Sequence, residues 1–268
     1  MTIEEQRSDE FTRSLRELQV NGYTVLNDSL AGETLSRLQT SFRAHLDAAL
    51  IAEDARTLKV TGPSRYNVHI PLEGPFLDPE LVANPLVMDL ARSLLDGDVT
   101  CCYYGADTAL PGSKYQPAHS DEPPLFPGLP VTLPPVGVIL DVPLVDFTSE
   151  NGPLEVWNHG THLIPDAGLI PKERPVDNAD ARSSPNQQLA EDLPSHPVLI
   201  TAGSFLLRDS RIWHRGTANV SDEARPMLAV VYCRPWHHYR LLPIKRSVLD
   251  SLDDVRRALF RNAPVGDD

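Results

Sequence analysis

Apolar side chains in the first hundred residues recur mostly at helical spacing. In residues 4–18 and 32–50 they lie three or four positions apart, which predicts two amphipathic helices. Between them, residues 22–26 alternate as a short strand does. A third helix is predicted over residues 79–95, because Asp78 can cap its first turn and proline suits its first position. This part of the chain is therefore expected to be mainly helical.

After residue 98 the pattern changes to short apolar runs that Gly and Pro separate. We predict strands over residues 99–104, 114–121, 136–142, 154–157, 197–201, 204–208 and 227–233. Many short strands at such intervals are typical of a β-sandwich or barrel, and a jelly roll is one such fold. The predicted fold class is thus mainly β with flanking helices.

These patterns suggest how the chain is organised. Residues 1–268 are predicted to form a single domain, with a helical N-terminal support over about 1–97 and a β core over about 98–236. A last helix is predicted over 247–260. Residues 161–195 are rich in Pro, Asp, Asn and Ser and interrupt the core as a long loop insertion. Such a segment is either a lid over a binding site or a plain surface insertion.

Composition narrows the classes of partner. The 268 residues carry a formal net charge of −13 and have a sequence pI of about 5.1. A surface this acidic does not favour nucleic acid or anionic lipid, which bind through clustered Lys and Arg. No apolar run is long enough to span a bilayer. The first residues are acidic and polar, unlike a signal peptide or a basic transit sequence, so we expect a cytoplasmic protein.

Metal-binding side chains occur at positions 119, 121 and 214. His119 and Asp121 stand at i and i+2, so on an extended chain they project from the same face. His214 can complete the set from a neighbouring extended segment. Two histidines and one carboxylate form the facial triad of non-haem Fe(II) oxygenases, which leaves other coordination positions open. The three residues are therefore predicted as metal ligands and catalytic residues.

An arginine follows the last of these ligands and changes the interpretation. Arg225 could clamp the distal carboxylate of a dicarboxylic acid through two parallel hydrogen bonds. A 2-oxo acid could then chelate the metal with its other end. Two rivals remain open at this point: a zinc hydrolase using the same ligands, and a non-catalytic jelly-roll module that binds a small molecule.

Three segments carry a resemblance to a known family. They are QPAHSD at residues 116–121, ENGPLEVWNHGTH at 150–162 and AGSFLLRDSRIWHRG at 202–216, and Arg225-Pro226-Met227 follows them. Together they resemble the phytanoyl-CoA dioxygenase family of Fe(II)/2-oxoglutarate oxygenases over most of the chain.

The resemblance implies a double-stranded β-helix, the jelly roll also seen in cupins, with flanking helices. It implies His119, Asp121 and His214 as iron ligands and Arg225 as the anchor of 2-oxoglutarate. The implied cofactors are Fe(II), 2-oxoglutarate as co-substrate, and O₂. Gln116 is a further candidate for binding the co-substrate.

Two positions refine what the family resemblance implies. Asp121 is present, whereas halogenases of this chemistry lack the carboxylate so that chloride can bind iron; halogenation is therefore not expected. Gly216 stands where some members place a hydroxyl near the co-substrate. The secondary contacts to 2-oxoglutarate are expected to differ accordingly.

The function predicted is an oxygenase that attacks an unactivated C–H bond of a small molecule. Because Arg outnumbers Lys and the chain is rich in Ala and Pro, a GC-rich bacterial source is indicated, and family members from such sources often tailor natural products. We expect hydroxylation of a secondary metabolite, as in antibiotic biosynthesis. Carbocyclisation, epimerisation or desaturation of a polyketide glycoside-type substrate is the alternative. No nucleic-acid or membrane partner is expected, and association as a homodimer is left open.

Four further histidines were weighed. His162 is predicted to be structural, in a turn. His69 could reach a substrate from an N-terminal strand. His237 and His238 could line the mouth of a barrel, although a surface tail is the favoured explanation for them.

Overall fold

Two antiparallel sheets and a set of helices build the protein. The computed structural model describes residues 3–122, 125–126, 128–165, 187–237 and 243–267. In chain order its strands are β1 (Tyr23–Leu26), β2 (Leu58–Gly62), β3 (Arg65–His69), β4 (Thr100–Ala109), β5 (Gly137–Pro143), β6 (Leu154–Trp157), β7 (His196–Pro197), β8 (Phe205–Asp209), β9 (Trp213–Gly216), β10 (Arg225–Cys233), β11 (Ile244–Lys245) and β12 (Val265–Gly266). Its helices are α1 (Ile3–Asn21), α2 (Gly32–Ile51), α3 (Pro79–Val82), α4 (Pro85–Leu94), α5 (Gln187–Asp192), α6 (Arg246–Ser251) and α7 (Asp254–Leu259), with 3₁₀ turns at Gly74–Leu77 and Thr161–Leu163.

Seven strands form the major sheet, in the order β1-β8-β5-β10-β4-β3-β2. The minor sheet has three strands, in the order β7-β6-β9. Side chains of both sheets line one common cleft, so the two sheets face each other as in a jelly roll. This arrangement confirms the predicted fold class of a β jelly roll with flanking helices.

The central strands β5, β8 and β10 are covered on both faces, which explains their nearly continuous apolar sequence. One face packs against the helices in the main hydrophobic cluster, which runs from Leu18 to Phe260. The other face looks toward the minor sheet. Three charged residues interrupt the apolar strands on this inner side: Asp141, Arg208 and Arg225. Burying charge is costly, so their presence already points to a functional interior.

Two predicted helices are each divided in two. The predicted helix over 79–95 ends after α3 and restarts at α4, because the Asn84 side chain accepts hydrogen bonds from the amides of Leu86 and Val87 and proline follows it. The predicted C-terminal helix is interrupted in the same way where Asp253 caps α7 by accepting from the Arg256 amide. Capping residues inside an apolar pattern thus set boundaries that periodicity alone does not reveal.

The N-terminal part contributes more than helices. Strands β1, β2 and β3 all come from the first 97 residues and complete the two edges of the major sheet. The predicted strand over 114–121 does not form a regular strand, and it contacts β9 through an isolated bridge between His119 and His214 and a hydrogen bond from the Gln116 amide to the Gly216 carbonyl. Pro117 lacks an amide hydrogen, which limits regular pairing there. The single-domain organisation stays a prediction, in line with the one main hydrophobic cluster.

Much of the predicted loop insertion, residues 166–186, lies outside the described residues, so the lid interpretation stays a prediction. Within the described part of the chain, no helix combines the length and the apolar composition needed to cross a membrane.

Candidate metal centre

The three predicted metal ligands converge in the structure. One ligand atom from each of His119, Asp121 and His214 lies within 4.8 Å of the other two. The histidine backbones hold each other in place, because the amide of each donates to the carbonyl of the other at 2.9 Å. Their rings stand 4.4 Å apart, centroid to centroid, at an angle of 52°. The i, i+2 spacing therefore brings both side chains of the His-x-Asp pair to the same place, although the chain there is not a regular strand.

Both imidazoles are oriented in the same way by backbone carbonyls. Nδ1 of His119 donates to the Pro117 carbonyl at 2.9 Å, and Nδ1 of His214 donates to the Ile212 carbonyl at 3.0 Å. A carbonyl only accepts, so the proton resides on Nδ1 and the lone pair on Nε2. Nε2 of His214 lies 3.4 Å from Oδ2 of Asp121, on the ligand side of the triad. Fixing the tautomer through the second ring nitrogen is how proteins prepare histidine to bind a metal.

Both rings are buried, and burial favours the neutral form of His214. His119 and His214 are 6% and 4% exposed. Burial holds the pKa of His214 well below its usual value, and the nearby Arg208 guanidinium adds to the effect. Neutral imidazole is the form that binds a metal.

Two further buried charged residues, Arg208 and Asp141, hold the side chain of Asp121 in place. Its Oδ2 accepts a hydrogen bond from Nη1 of Arg208 at 2.5 Å, and Nε of Arg208 donates to Oδ2 of Asp141 at 2.5 Å. Burial raises the pKa of Asp141 while the attraction of Arg208 opposes this. We call Asp121, Asp141 and Arg208 the acidic cluster, since it has two carboxylates and one guanidinium.

A second group of buried charges has the opposite composition. Asp107 accepts from Nη1 of Arg65 at 3.0 Å and from Nη2 of Arg225 at 3.4 Å, both at Oδ2. Arg225 also donates to the carbonyls of Gly152 and Asp107, at 2.9 and 3.3 Å, and Arg65 donates to the Thr217 carbonyl at 2.6 Å. We call Arg65, Asp107 and Arg225 the basic cluster.

The basic cluster is enclosed more completely than the acidic one. The side chains of Arg65 and Arg225 are 0% exposed, and that of Asp107 is 20% exposed. Burial, with Arg65 as a neighbouring like charge, lowers the pKa of Arg225 to about 10, and Asp107 opposes this shift. The guanidinium of Arg225 also lies over the Phe147 ring, 5.0 Å from its centroid. It stays protonated at neutral pH, so the cluster carries surplus positive charge.

Gly216 makes room for the basic cluster. A Cβ atom at this position would lie 2.6 Å from Cζ of Arg65 and 2.8 Å from Oε1 of Gln116. Gln116 is fixed there, because its Oε1 accepts from the Gly216 amide at 2.9 Å. The space next to Gly216 is therefore taken by a guanidinium and an amide. Gln116 lines the cleft, and its role as a co-substrate contact stays a prediction.

The triad and the acidic cluster line one cleft between the two sheets, and the basic cluster reaches this cleft through Asp107. The enclosed volume of this cleft is about 60 Å³. Its polar wall contains Asn67, Asp107, Gln116, Glu122, Asp141, Arg208 and the triad. The remaining wall is largely apolar and comprises Cys102, Tyr103, Ile139, Leu154, Met227, Ala229 and Val231.

The sequence profile of the phytanoyl-CoA dioxygenase (PhyH) family matches residues 18–227. The chain belongs to this family. Both the family resemblance and the enzyme class predicted from the three segments are thereby confirmed.

The chain is also similar to a curated relative and to solved structures. The relative is dioxygenase af480 of Aspergillus fumigatus, 28% identical over 222 residues, which are 79% of this chain and 62% of the relative. The chain therefore spans less than two thirds of that relative's length.

The solved structures are similar in fold. AviO1 from Streptomyces viridochromogenes Tue57 has a TM-score of 0.60 and 22% identity, covering 84% of this chain and 95% of AviO1. SnoN, a non-haem α-ketoglutarate-dependent epimerase of nogalamycin biosynthesis, has a TM-score of 0.62 and 20% identity, covering 84% of this chain and 81% of SnoN. SnoN has also been solved with Fe³⁺, α-ketoglutarate and nogalamycin RO.

The four further histidines considered in the sequence analysis lie in different surroundings in this PhyH chain. His162 is buried at a turn, where its Nε2 contacts the Gln19 carbonyl at 3.2 Å, and it does not line the cleft of the triad. His69 is exposed. Nε2 of His237 lies 3.5 Å from Oε2 of Glu122, which does line the cleft. His238 lies outside the described residues.

Six polar residues of the site and its clusters were not predicted from the sequence: Arg65, Asn67, Asp107, Glu122, Asp141 and Arg208. Asn67 lines the cleft and accepts a hydrogen bond from the Tyr103 hydroxyl. A signal for some of them does exist, because Asp141 and Arg208 are charged residues within strands that are otherwise apolar. Such residues are costly to bury and therefore mark interior sites.

Proposed function

We propose that the chain is an Fe(II)- and 2-oxoglutarate-dependent oxygenase that attacks an unactivated C–H bond of a small molecule. The observation that carries this proposal is the convergence of His119, Asp121 and His214 on one point of a cleft with a basic cluster beside it. In this proposal the three residues are the iron ligands and Arg225 anchors the co-substrate. Family membership supports the same assignment.

The donor set fits Fe(II). Two neutral imidazoles and one carboxylate suit this ion and leave positions open for a chelating co-substrate and O₂. Iron held there would supply the activation of O₂ that is coupled to oxidative decarboxylation of 2-oxoglutarate to succinate. The residues themselves fix three donors in advance: both Nδ1 atoms are bonded to carbonyls, and Asp121 is bonded to Arg208.

The basic cluster fits the distal carboxylate of the co-substrate. Two guanidiniums and one carboxylate leave a formal charge of +1 in a buried place, and an uncompensated buried charge is costly. Nε of Arg65 has no hydrogen-bond partner among the described residues. The contact from Arg225 to Asp107 is long, at 3.4 Å. We infer that the distal carboxylate replaces this contact and neutralises the cluster.

The apolar wall supports an organic substrate of low charge. Cys102, Ile139, Ala229 and Val231 lie on the inner face of the major sheet, and Tyr103 adds a phenol ring. Apolar and aromatic side chains with a few polar groups are typical of small-molecule pockets. We propose hydroxylation of a natural product as the reaction. Epimerisation, carbocyclisation or desaturation is the second candidate, which the likeness to the epimerase SnoN favours.

Succinate formation tests the proposal. Metal-free protein supplied with Fe(II), 2-oxoglutarate and air should convert 2-oxoglutarate slowly to succinate even without substrate. His214→Ala should abolish this conversion, whereas His69→Ala, a change at an exposed histidine of the major sheet, should not. Activity that requires zinc but neither O₂ nor 2-oxoglutarate would instead identify a hydrolase. A small-molecule ligand bound equally well by the His214→Ala variant, without any turnover, would identify a binding module.

Mass spectrometry of the product separates the candidate reactions. Hydroxylation adds one oxygen, ring closure or desaturation removes two hydrogens, and epimerisation leaves the mass unchanged. Candidate substrates are glycosylated or polycyclic natural products.

A further inference from the structure

We propose that Arg208 is a positioning residue for the metal centre, which orients the carboxylate of Asp121 and is itself held by Asp141. The inference rests on the proposed function, because it needs a metal bound by the triad. It concerns two residues to which neither the family resemblance nor the sequence patterns gave a role.

Arg208 and Asp141 come from neighbouring strands of the major sheet. Strands β5 and β8 are antiparallel, with Ile139 opposite Arg208 and Asp141 opposite Leu206. Arg208 and Asp141 are therefore diagonal neighbours on one face, within reach for long side chains. Both line the cleft, and both are buried, at 4% and 0% exposure.

The guanidinium connects these strands to the ligand segment. Its Nε donates to Asp141 and its Nη1 donates to Asp121, each at 2.5 Å. The Asp121 amide also donates to the Ser210 carbonyl at 3.1 Å, just beyond the end of β8. Backbone and side chain of Asp121 are thus both tied to the same end of this strand. The planar guanidinium fixes the direction of each hydrogen bond, which a lysine ammonium cannot do.

An ion pair that only stabilised the fold would not need to contact a metal ligand. The pair of Arg208 and Asp141 is electrically complete by itself, so stability alone does not require a third member. Arg208 nevertheless donates one hydrogen bond to the carboxylate of Asp121, whose Oδ2 lies 3.4 Å from Nε2 of His214. Groups that hydrogen-bond to metal ligands typically change metal affinity about 10- to 100-fold when they are replaced. Asp121 has a rotatable carboxylate, and this contact stops its rotation.

The decisive variant removes the contact without changing the charge. Arg208→Met together with Asp141→Asn deletes one positive and one negative charge, so the acidic cluster keeps its formal charge of −1 on Asp121. Anaerobic calorimetric titration with Fe(II) should show affinity about 10- to 100-fold weaker than in the wild type. Titration with Co(II) should give a visible spectrum with altered band positions or intensities, which a role in stability alone would not produce.

A control pair lies next to Arg208 in the chain. Asp209 is fully buried and accepts from Nε and Nη2 of Arg211 at 2.8 and 2.6 Å, and among the described residues no hydrogen bond or ion pair joins either side chain to the triad. Arg211→Met together with Asp209→Asn removes a second arginine–aspartate pair from the same segment, although its arginine is 23% exposed. This control should bind Fe(II) and Co(II) as the wild type does, whatever its loss of stability.

Arg208→Lys provides a milder variant if the double variant does not fold. It keeps the charge and loses the fixed geometry, so it should bind Fe(II) several-fold more weakly, with an altered Co(II) spectrum. Wild-type affinity and spectrum in either Arg208 variant would overturn the positioning role. If the wild type binds neither Fe(II) nor Co(II), the proposed metal centre itself is contradicted. The same conclusion follows if the His214→Ala variant binds both metals as tightly as the wild type does.

Discussion

The acidic and the basic cluster border one cleft, yet they have opposite compositions. The acidic cluster has two carboxylates around one guanidinium, for a formal charge of −1. The basic cluster has two guanidiniums around one carboxylate, for a formal charge of +1. Counting only these six described side chains, the acidic cluster carries one excess negative charge and the basic cluster one excess positive charge, and buried charge is costly unless it is compensated. The difference indicates that the first is built to receive a cation and the second an anion.

A metal ion and a dicarboxylate satisfy both clusters together. The six side chains sum to zero, and so do Fe(II) and doubly ionised 2-oxoglutarate. Occupancy of both sites therefore adds no net charge to the interior, whereas occupancy of one alone does. Substitutions on either side, at the metal ligands or in the basic cluster, can test this charge balance.

Removing a metal ligand should have the largest effect. His214→Ala deletes one of three donors, so the affinity for Fe(II) should fall by more than about 100-fold, beyond the range typical of residues that only support a ligand. Anaerobic titration calorimetry measures it. The basic cluster remains intact, so the overall fold should persist by circular dichroism. Fe(II) affinity within a few-fold of wild type would contradict the role of His214.

Replacing Arg225, the proposed anchor, should weaken the binding of 2-oxoglutarate but not that of Fe(II). Arg225→Met should weaken binding of 2-oxoglutarate to the metal-loaded protein by about 30-fold or more, because a truncated partner of a buried charge pair costs roughly 2 kcal/mol at least. Binding of Fe(II) in the absence of 2-oxoglutarate should stay near wild type. Equal losses of both ligands would mean that the two clusters are not separate sites.

Neutralising Asp107, the carboxylate of the basic cluster, tests whether this cluster carries surplus positive charge. Asp107→Asn leaves two buried guanidiniums without their shared anion. The free energy of unfolding should fall by about 2 kcal/mol, below the roughly 3–5 kcal/mol typical of fully buried pairs, since this side chain is 20% exposed. Added 2-oxoglutarate with metal should then raise the melting temperature more than it does in the wild type. A smaller rise would contradict the surplus of positive charge.

The smallest effect is expected at Gly216. An alanine methyl group would press on the Arg65 guanidinium, with Cβ 2.6 Å from its Cζ. Arg65 should shift and the KM for 2-oxoglutarate should rise up to about tenfold, in the range of one lost charge-assisted hydrogen bond. Fe(II) affinity is the internal control and should not change. An unaltered KM would separate Arg65 from the co-substrate site.

The sequence allowed the triad to be predicted because its chemistry is local and specific. His119 and Asp121 are two residues apart, and few sites other than metal centres need two histidines and an acid together. The partners of the clusters are distant instead: Arg65 meets Asp107 across 42 positions, Arg208 meets Asp121 across 87, and Arg225 meets Asp107 across 118. Such contacts depend on strand register, which packing sets and a single sequence does not display.

The fold shows the same limit at its element boundaries. Fold class followed from many short apolar strands, but the apolar pattern over 79–95 predicted one helix where Asn84 and Pro85 end one and begin another. Strand β3, which carries Arg65 and brings Asn67 to the cleft, has a mixed sequence near a sheet edge and gave little signal.

The most direct measurement adds Fe(II) and then 2-oxoglutarate to the metal-free protein without oxygen and records its visible spectrum. A weak charge-transfer band should develop at one equivalent of each, only when both are present, and should be missing in His214→Ala and Arg225→Met. Bound iron and bound 2-oxoglutarate without this band would show that the keto acid does not chelate the metal. That result would contradict the joint occupancy on which the account depends.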